Sequence, residues 1–186
     1  MLKILLSIFL SIFLFINNTN AKENIMILKL KDGDVKIEMF PDVAPNHVKR
    51  ITELANSGKY DNVVFHRVID GFMAQTGDVK FGNSSTDDFD LRRAGMGGSD
   101  LPDLKQEFNN LPHERGTVSM ARSSDPDSGN SQFFICFENA AFLDRQYTVF
   151  GKVVEGMEFV DMIKKGDSNN NGSVSDPDKI ISFKSE

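Results

Sequence analysis

The chain has 186 residues, which fits one domain, and with 40% apolar and 26% charged residues it has the composition of a protein that folds around a core rather than staying disordered. Its net charge of −6, with no run of Lys and Arg, argues against a nucleic-acid partner, because polyphosphate binding is driven by clustered cations. Sixteen Phe and no Trp is an unusual aromatic balance that points to a packed core or an apolar groove.

The first 21 residues differ from the rest. Lys3 is their only charge, and the run Ile4 to Ile16 is apolar except for Ser7 and Ser11. Thr19 and Ala21 supply the small residues of a cleavage site, so this segment reads as a secretory signal peptide cut after Ala21. The competing reading is a retained membrane anchor, but 13 apolar residues are short for a span of ~20. Cleavage leaves one domain, residues 22–186, with no stable membrane association. It removes one positive charge, so the mature chain carries −7. Cys136 is the only cysteine and sits among apolar neighbours, so it reads as a buried, inert thiol with no internal disulfide.

Ile25 to Phe40 reads as a β-hairpin, with Asp32-Gly33 at its turn and Val35, Ile37 and Met39 alternating with polar residues. Ala44 to Ser57 reads as a helix, with Pro45 in its first turn, Gly58 as its stop, and Val48, Ile51, Leu54 and Ala55 as its apolar stripe. Strands are expected at Val63–Ile69, Phe72–Gln75, Thr117–Ala121, Gln132–Phe137, Tyr147–Val154 and Lys179–Phe183, with a second helix at Gly156–Lys165. Gly77 to Asp103 is Gly- and Asp-rich and has no clear period. Many short strands and two helices suggest a mainly β fold, a closed or nearly closed antiparallel barrel with helices at its ends.

Several local motifs go further. Phe65-His66-Arg67-Val68-Ile69, Gly71-Phe72-Met73-Ala74-Gln75 and Gly77-Asp78 are followed by Gly116-Thr117-Val118-Ser119-Met120-Ala121 and Ser131-Gln132-Phe133-Phe134-Ile135-Cys136. Phe142-Leu143-Asp144 and Val149-Phe150-Gly151-Lys152-Val153 complete the set. In order and spacing these blocks resemble the cyclophilin-type peptidyl-prolyl cis-trans isomerases over most of the chain from Ile25. The resemblance implies a closed eight-stranded antiparallel β-barrel capped by two helices. It also implies proline isomerase activity without metal or cofactor. By motif position Arg67 is the catalytic arginine, with Gln75 beside it. Phe72, Met73, Phe134 and Leu143 form the walls of the proline pocket, Gln132 is a further polar contact, and Ala121, Phe142 and Tyr147 line the peptide path. The implied partners are proline-containing peptides and unfolded exported proteins, met in the periplasm or outside the cell, by a protein expected to act as a monomer.

The residues also have plainer readings. Arg67 in a strand is most simply an ion-paired surface residue, and only the flanking motif overrides that. His66 points to the opposite sheet face from Arg67 and reads as structural rather than as a base. Phe133 and Phe134 face opposite ways, so only one lines a groove; alternation leaves the choice open, and the resemblance selects Phe134. Phe142 stands where many family members have Trp, which puts cyclosporin sensitivity in question, and Arg122 stands where Asn is common. The acidic loop holding Asp125 and Asp127 is expected to bias substrates toward basic flanks. Asp167 to Asp178 partly matches a calcium-loop pattern, but lacks its final Glu and precedes a strand, so a polar connecting loop is preferred.

Overall fold

The computed structural model describes residues 24–186; the expected signal segment, with its cleavage after Ala21, lies outside the described residues. Eight strands form one antiparallel sheet: β1 (Ile25–Lys29), β2 (Asp34–Met39), β3 (Arg67–Ile69), β4 (Met73–Thr76), β5 (Thr117–Met120), β6 (Phe133–Cys136), β7 (Val149–Glu155) and β8 (Ser182–Ser185). Their order is β3-β4-β6-β5-β7-β2-β1-β8. The Asp32-Gly33 turn closes the β1–β2 hairpin, with Leu30 N–H donating to the Gly33 carbonyl at 3.0 Å.

The barrel is not closed, which corrects the sequence expectation. The sheet curls, but β3 and β8 do not pair. The outer edge of β3 is filled instead by the loop at 166–174: Val68 N–H donates to Gly172 O (2.8 Å) and Gly166 N–H to Val68 O (2.9 Å). Elsewhere along the seam only isolated bridges form, at Val64–Lys179 and Arg67–Ser173. Two expected strands shorten for the same reason. Val63 to Phe65 bond to Ile180, Gly82 and Asp178 rather than to one neighbour, and Ile180 makes both its backbone bonds to residues 62–63 while its side chain enters the core.

Helix α1 (Pro45–Asn56) buries Val48, Ile51, Leu54 and Ala55 against the sheet, as its period requires. It lacks a side-chain cap of its own, because Ala44 precedes it. Glu107 supplies one from 60 residues away, accepting from the backbone N–H groups of Asn46 (3.1 Å) and His47 (3.1 Å). Helix α2 (Met157–Asp161) is five residues long, not the ten expected. Its continuation is diverted where Lys164 N–H donates to Asp178 Oδ2 (2.8 Å). No helix among the described residues is long and apolar enough to cross a membrane.

The main core lies inside the curl, between α1 and the concave face of the sheet. Its centre is aromatic. Phe133 packs edge-on against Tyr60 (5.7 Å) and Phe150 (6.3 Å) and tilted against Phe183 (5.9 Å). A second, smaller cluster of Met73, Phe134, Cys136, Ala140 and Leu143 occupies the other face of β4 and β6. Both follow from the two-residue period of a strand: Phe133 and Ile135 turn inward, Phe134 and Cys136 outward.

Candidate active site

The outer cluster is the floor and wall of a groove. Ile69, Phe72, Ala121 and Tyr147 pack on it while remaining partly open. Phe142 is 65% exposed and stands over Phe72, ring to ring at 5.4 Å. Tyr147 meets Phe134 edge-on at 5.8 Å, and the Arg122 guanidinium lies 4.4 Å over the Tyr147 ring.

A line of polar groups runs along one side of this apolar surface. Register sets it up: Arg67 on β3 is paired with Gln75 on β4, and Gln75 with Phe134 on β6. Arg67 Nη1 donates to Gln75 Oε1 (3.2 Å) and touches Met73 Sδ (3.8 Å). Gln75 Nε2 donates to Gln132 Oε1 (3.0 Å), and Gln132 Nε2 to the carbonyls of Gly95 (3.0 Å) and Gly97 (2.7 Å). Arg67 is half-buried, and loss of solvation pulls its pKa down from the ordinary arginine value. At any ordinary pH it remains a cation.

Beyond Gln132 the groove widens into a cleft of about 530 Å³ bounded by Gln75, Met96, Asp103, Ala121, Arg122 and Gln132. One wall is the stretch whose sequence showed no period. Its organiser is the buried Asp78 carboxylate, which accepts backbone N–H bonds from Lys80 (3.1 Å), Phe81 (2.9 Å), Gly95 (2.8 Å) and Gly97 (2.9 Å). The loop is ordered by one carboxylate rather than by a ladder. The acidic loop that follows Arg122 keeps its charges partly engaged: Asp125 Oδ1 accepts from Asp127 N–H (2.9 Å), and Asp127 Oδ1 from Gln106 N–H (3.0 Å).

All ten residues singled out from the sequence lie on this one surface: Arg67, Gln75, Phe72, Met73, Ala121, Gln132, Phe134, Phe142, Leu143 and Tyr147. Sequence reasoning passed over two others. His113 is fully buried under Phe134, stacked on it at 6.1 Å and 16°. Its Nδ1 bonds Asp144 Oδ1 (3.0 Å) and its Nε2 bonds Ser119 Oγ (3.0 Å). Burial pulls the His113 pKa down, with Asp144 pulling the other way. The set has the composition of a hydrolytic triad but not its accessibility. Ser119 is completely buried, and its Oγ lies 2.9 Å from the Thr148 carbonyl. It braces the pocket wall from behind, since Asp144 adjoins Leu143. The second residue is Asn171, whose oxygens bond Arg67. In the sequence it falls within the Asp167–Asp178 stretch, whose partial calcium-loop pattern and polar character say nothing of Arg67.

Cys136 is buried in the outer cluster, and burial pushes its thiol up to about 12, so no thiolate nucleophile is offered here. Among the described residues no group of three or more His, Cys, Asp and Glu is placed to hold a metal ion. In the loop weighed as a calcium site, Asp167 caps Asn169 N–H (2.9 Å) and Asp178 pairs with Lys31 (2.9 Å).

The geometry matches known proteins. Residues 25–185 match the family described as cyclophilin type peptidyl-prolyl cis-trans isomerase/CLD. A probable peptidyl-prolyl cis-trans isomerase of Brucella suis is 61% identical over 159 residues, covering 86% of this chain and 81% of its own. Peptidyl-prolyl cis-trans isomerase A of Dickeya dadantii is 40% identical over 79% of this chain and 74% of its own. Among solved structures, a cyclophilin from Hirschia baltica superposes with a TM-score of 0.72 at 28% identity, covering 88% of this chain and 74% of that one. A Cryptosporidium parvum cyclophilin, crystallised in the presence of the dipeptide Ala-Pro, superposes with a TM-score of 0.73 at 27% identity, covering 87% and 98%.

Proposed function

The chain belongs to the cyclophilin-type peptidyl-prolyl cis-trans isomerases, and from that premise we propose that Arg67 drives rotation about X-Pro bonds by donating a hydrogen bond to the prolyl nitrogen of the twisted amide. The bond resists rotation by ~18–20 kcal/mol because resonance gives it double-bond character. Uncatalysed exchange takes ~10–100 s. A turnover near 10³ s⁻¹ therefore needs about 10⁴–10⁵-fold acceleration, or ~5.5–7 kcal/mol. No covalent step is required, only a site that binds the half-rotated amide more tightly than either planar form.

Twisting breaks the resonance and returns a lone pair to the prolyl nitrogen. A guanidinium is a permanent donor for it. One hydrogen bond to a charged group is worth ~1.5–3 kcal/mol, so Arg67 supplies part of the acceleration. The remainder falls to the pocket of Phe72, Met73, Phe134 and Leu143, which grips the pyrrolidine ring, keeps water out and strengthens the field of the cation. Gln75 and Gln132 offer polar contacts to the moving carbonyl and the flanking backbone. Proline-containing peptides are thus the substrates, in keeping with the Ala-Pro dipeptide used with the Cryptosporidium relative.

The observation that carries this reading is a half-buried guanidinium, held by three side-chain and backbone oxygens, at the edge of the apolar cluster of Met73, Phe134 and Leu143. A protease-coupled assay on a short X-Pro peptide tests it. Arg67→Ala should lower kcat/KM by about 10- to 150-fold, the range that a charged hydrogen bond spans. Arg67→Lys should recover little, because it keeps the charge and loses the planar fork. Wild-type rates in Arg67→Ala would overturn the mechanism.

The working place proposed for the enzyme is the periplasm or the exterior, where it assists the folding of exported proteins. Support comes from Lys3, the apolar run Ile4 to Ile16, and the small residues at Thr19 and Ala21. Mass spectrometry of the protein from fractionated cells should find a mature chain beginning at Lys22 outside the cytoplasm. An intact chain confined to the cytoplasm would end this part of the reading.

A further inference from the structure

The polar loop between α2 and β8 reaches the catalytic guanidinium. Arg67 Nε donates to the backbone carbonyl of Asn171 (3.1 Å), and Arg67 Nη2 donates to the Asn171 side-chain Oδ1 (3.0 Å). One residue therefore engages two of the three guanidinium nitrogens. The third, Nη1, is shared between Gln75 Oε1 (3.2 Å) and the weakly accepting Met73 sulfur (3.8 Å). The grip is uneven: Nε and Nη2 are both held by the loop's oxygens, while Nη1, at the apolar pocket, has one oxygen partner and one weak sulfur partner.

The loop is built to hold that position. Asn171 has φ 51° and Gly172 φ 75°, two successive left-handed residues. Asn is among the few residues with a side chain that tolerate this backbone. Gly172 lies so close to β3 that a Cβ there would stand 2.4 Å from Ile69 Cγ1, so the next position admits only glycine. The turn is tied internally, with Gly172 N–H on Asp167 O (2.9 Å) and Ser173 N–H on Asn170 O (2.9 Å). It is tied to β3 just past Arg67, by Val68 N–H on Gly172 O (2.8 Å).

We propose that Asn171 is a positioning residue for the isomerase reaction: it fixes the plane of the Arg67 guanidinium before the peptide arrives, so that an Nη1 hydrogen can exchange the Met73 sulfur for the prolyl nitrogen as the amide twists. A long side chain frozen in advance need not be ordered at the transition state, where ordering would add to the barrier. The inference rests on the reading of Arg67 as the donor to that nitrogen.

The backbone geometry provides a clean test. Asn171→Gly suits the left-handed conformation and keeps the carbonyl that serves Nε, so it deletes only Oδ1. In the protease-coupled assay kcat should fall about tenfold while KM stays within about twofold, with no loss of melting temperature. Asn171→Asp, which also tolerates this backbone and restores an acceptor, should recover part of kcat. Asn170→Ser, an exposed change in the same turn, should match wild type. Nitrogen NMR of the arginine guanidinium should show rotation at Nη2 freed in Asn171→Gly. Wild-type kcat in Asn171→Gly, or an equal loss in Asn170→Ser, would overturn the inference. Its failure is separable from failure of the mechanism: Arg67→Ala impaired with Asn171→Gly fully active sinks only the role of Asn171, whereas Arg67→Ala fully active sinks both.

Discussion

Strand β6 separates two aromatic environments that differ by one residue in sequence. Phe133 is wholly buried, ringed by Tyr60, Phe150 and Phe183. Phe134 is 5% exposed, with the buried His113 behind it and the open rings of Tyr147, Phe72 and Phe142 in front or nearby. The inner face is apolar and closed, and it holds the fold together. The outer face sets apolar side chains against a row of hydrogen-bonded polar ones, Arg67, Gln75 and Gln132. The same chemistry that closes the core on one side leaves a peptide-sized groove on the other, because no second layer covers that part of the sheet.

Removing one ring from each face breaks the comparison most directly. Phe133→Ala should cost about 3–5 kcal/mol, because it leaves a cavity that the surrounding aromatics cannot collapse into. It should do so with isomerase activity intact in whatever fraction stays folded. The next effect concerns His66, which is buried with neither ring nitrogen hydrogen-bonded and whose pKa burial pushes down to about 4. Folding therefore disfavours its protonation. Stability from this group is full above the ordinary histidine pKa of about 6.5 and is lost as pH falls from there to about 4, by about 3 kcal/mol in all. His66→Leu should be tolerated at pH 7, since no hydrogen bond is lost, and should show a shallower fall in denaturation midpoint between pH 7 and pH 4. Identical acid slopes for the two proteins would show that other groups carry the loss. The smallest effect on stability is expected of Phe134→Ala, about 1.5–3 kcal/mol, since water can enter from the groove and no closed cavity is left. Here KM for the peptide should rise sharply. If Phe133→Ala raised KM as much as Phe134→Ala does, the two faces would not be functionally distinct.

The sequence alone determined roughly where most of the strands lie, where α1 begins and ends to within a residue or two, and the inward face of β2, whose apolar and polar residues alternate; on β6, apolar on both faces, it left the choice between Phe133 and Phe134 open. These depend on local periods and on Gly and Pro, which act over a few residues. The ten residues that the structure gathers on one surface came from the resemblance to the cyclophilins, which contiguous sequence blocks carry; local period by itself did not single them out. What the sequence did not reveal depends on partners distant in the chain. The cap of α1 comes from Glu107, the order of the Gly-rich stretch from Asp78, the brace behind Phe134 from His113, and the grip on Arg67 from Asn171. The unclosed seam belongs with these: β3 and β8 each read as strands, but the intervening loop at 166–174 takes the edge bonds that closure would have used. Which of several nearby acceptors wins a given N–H is decided by distance in space, and only the folded chain sets that distance.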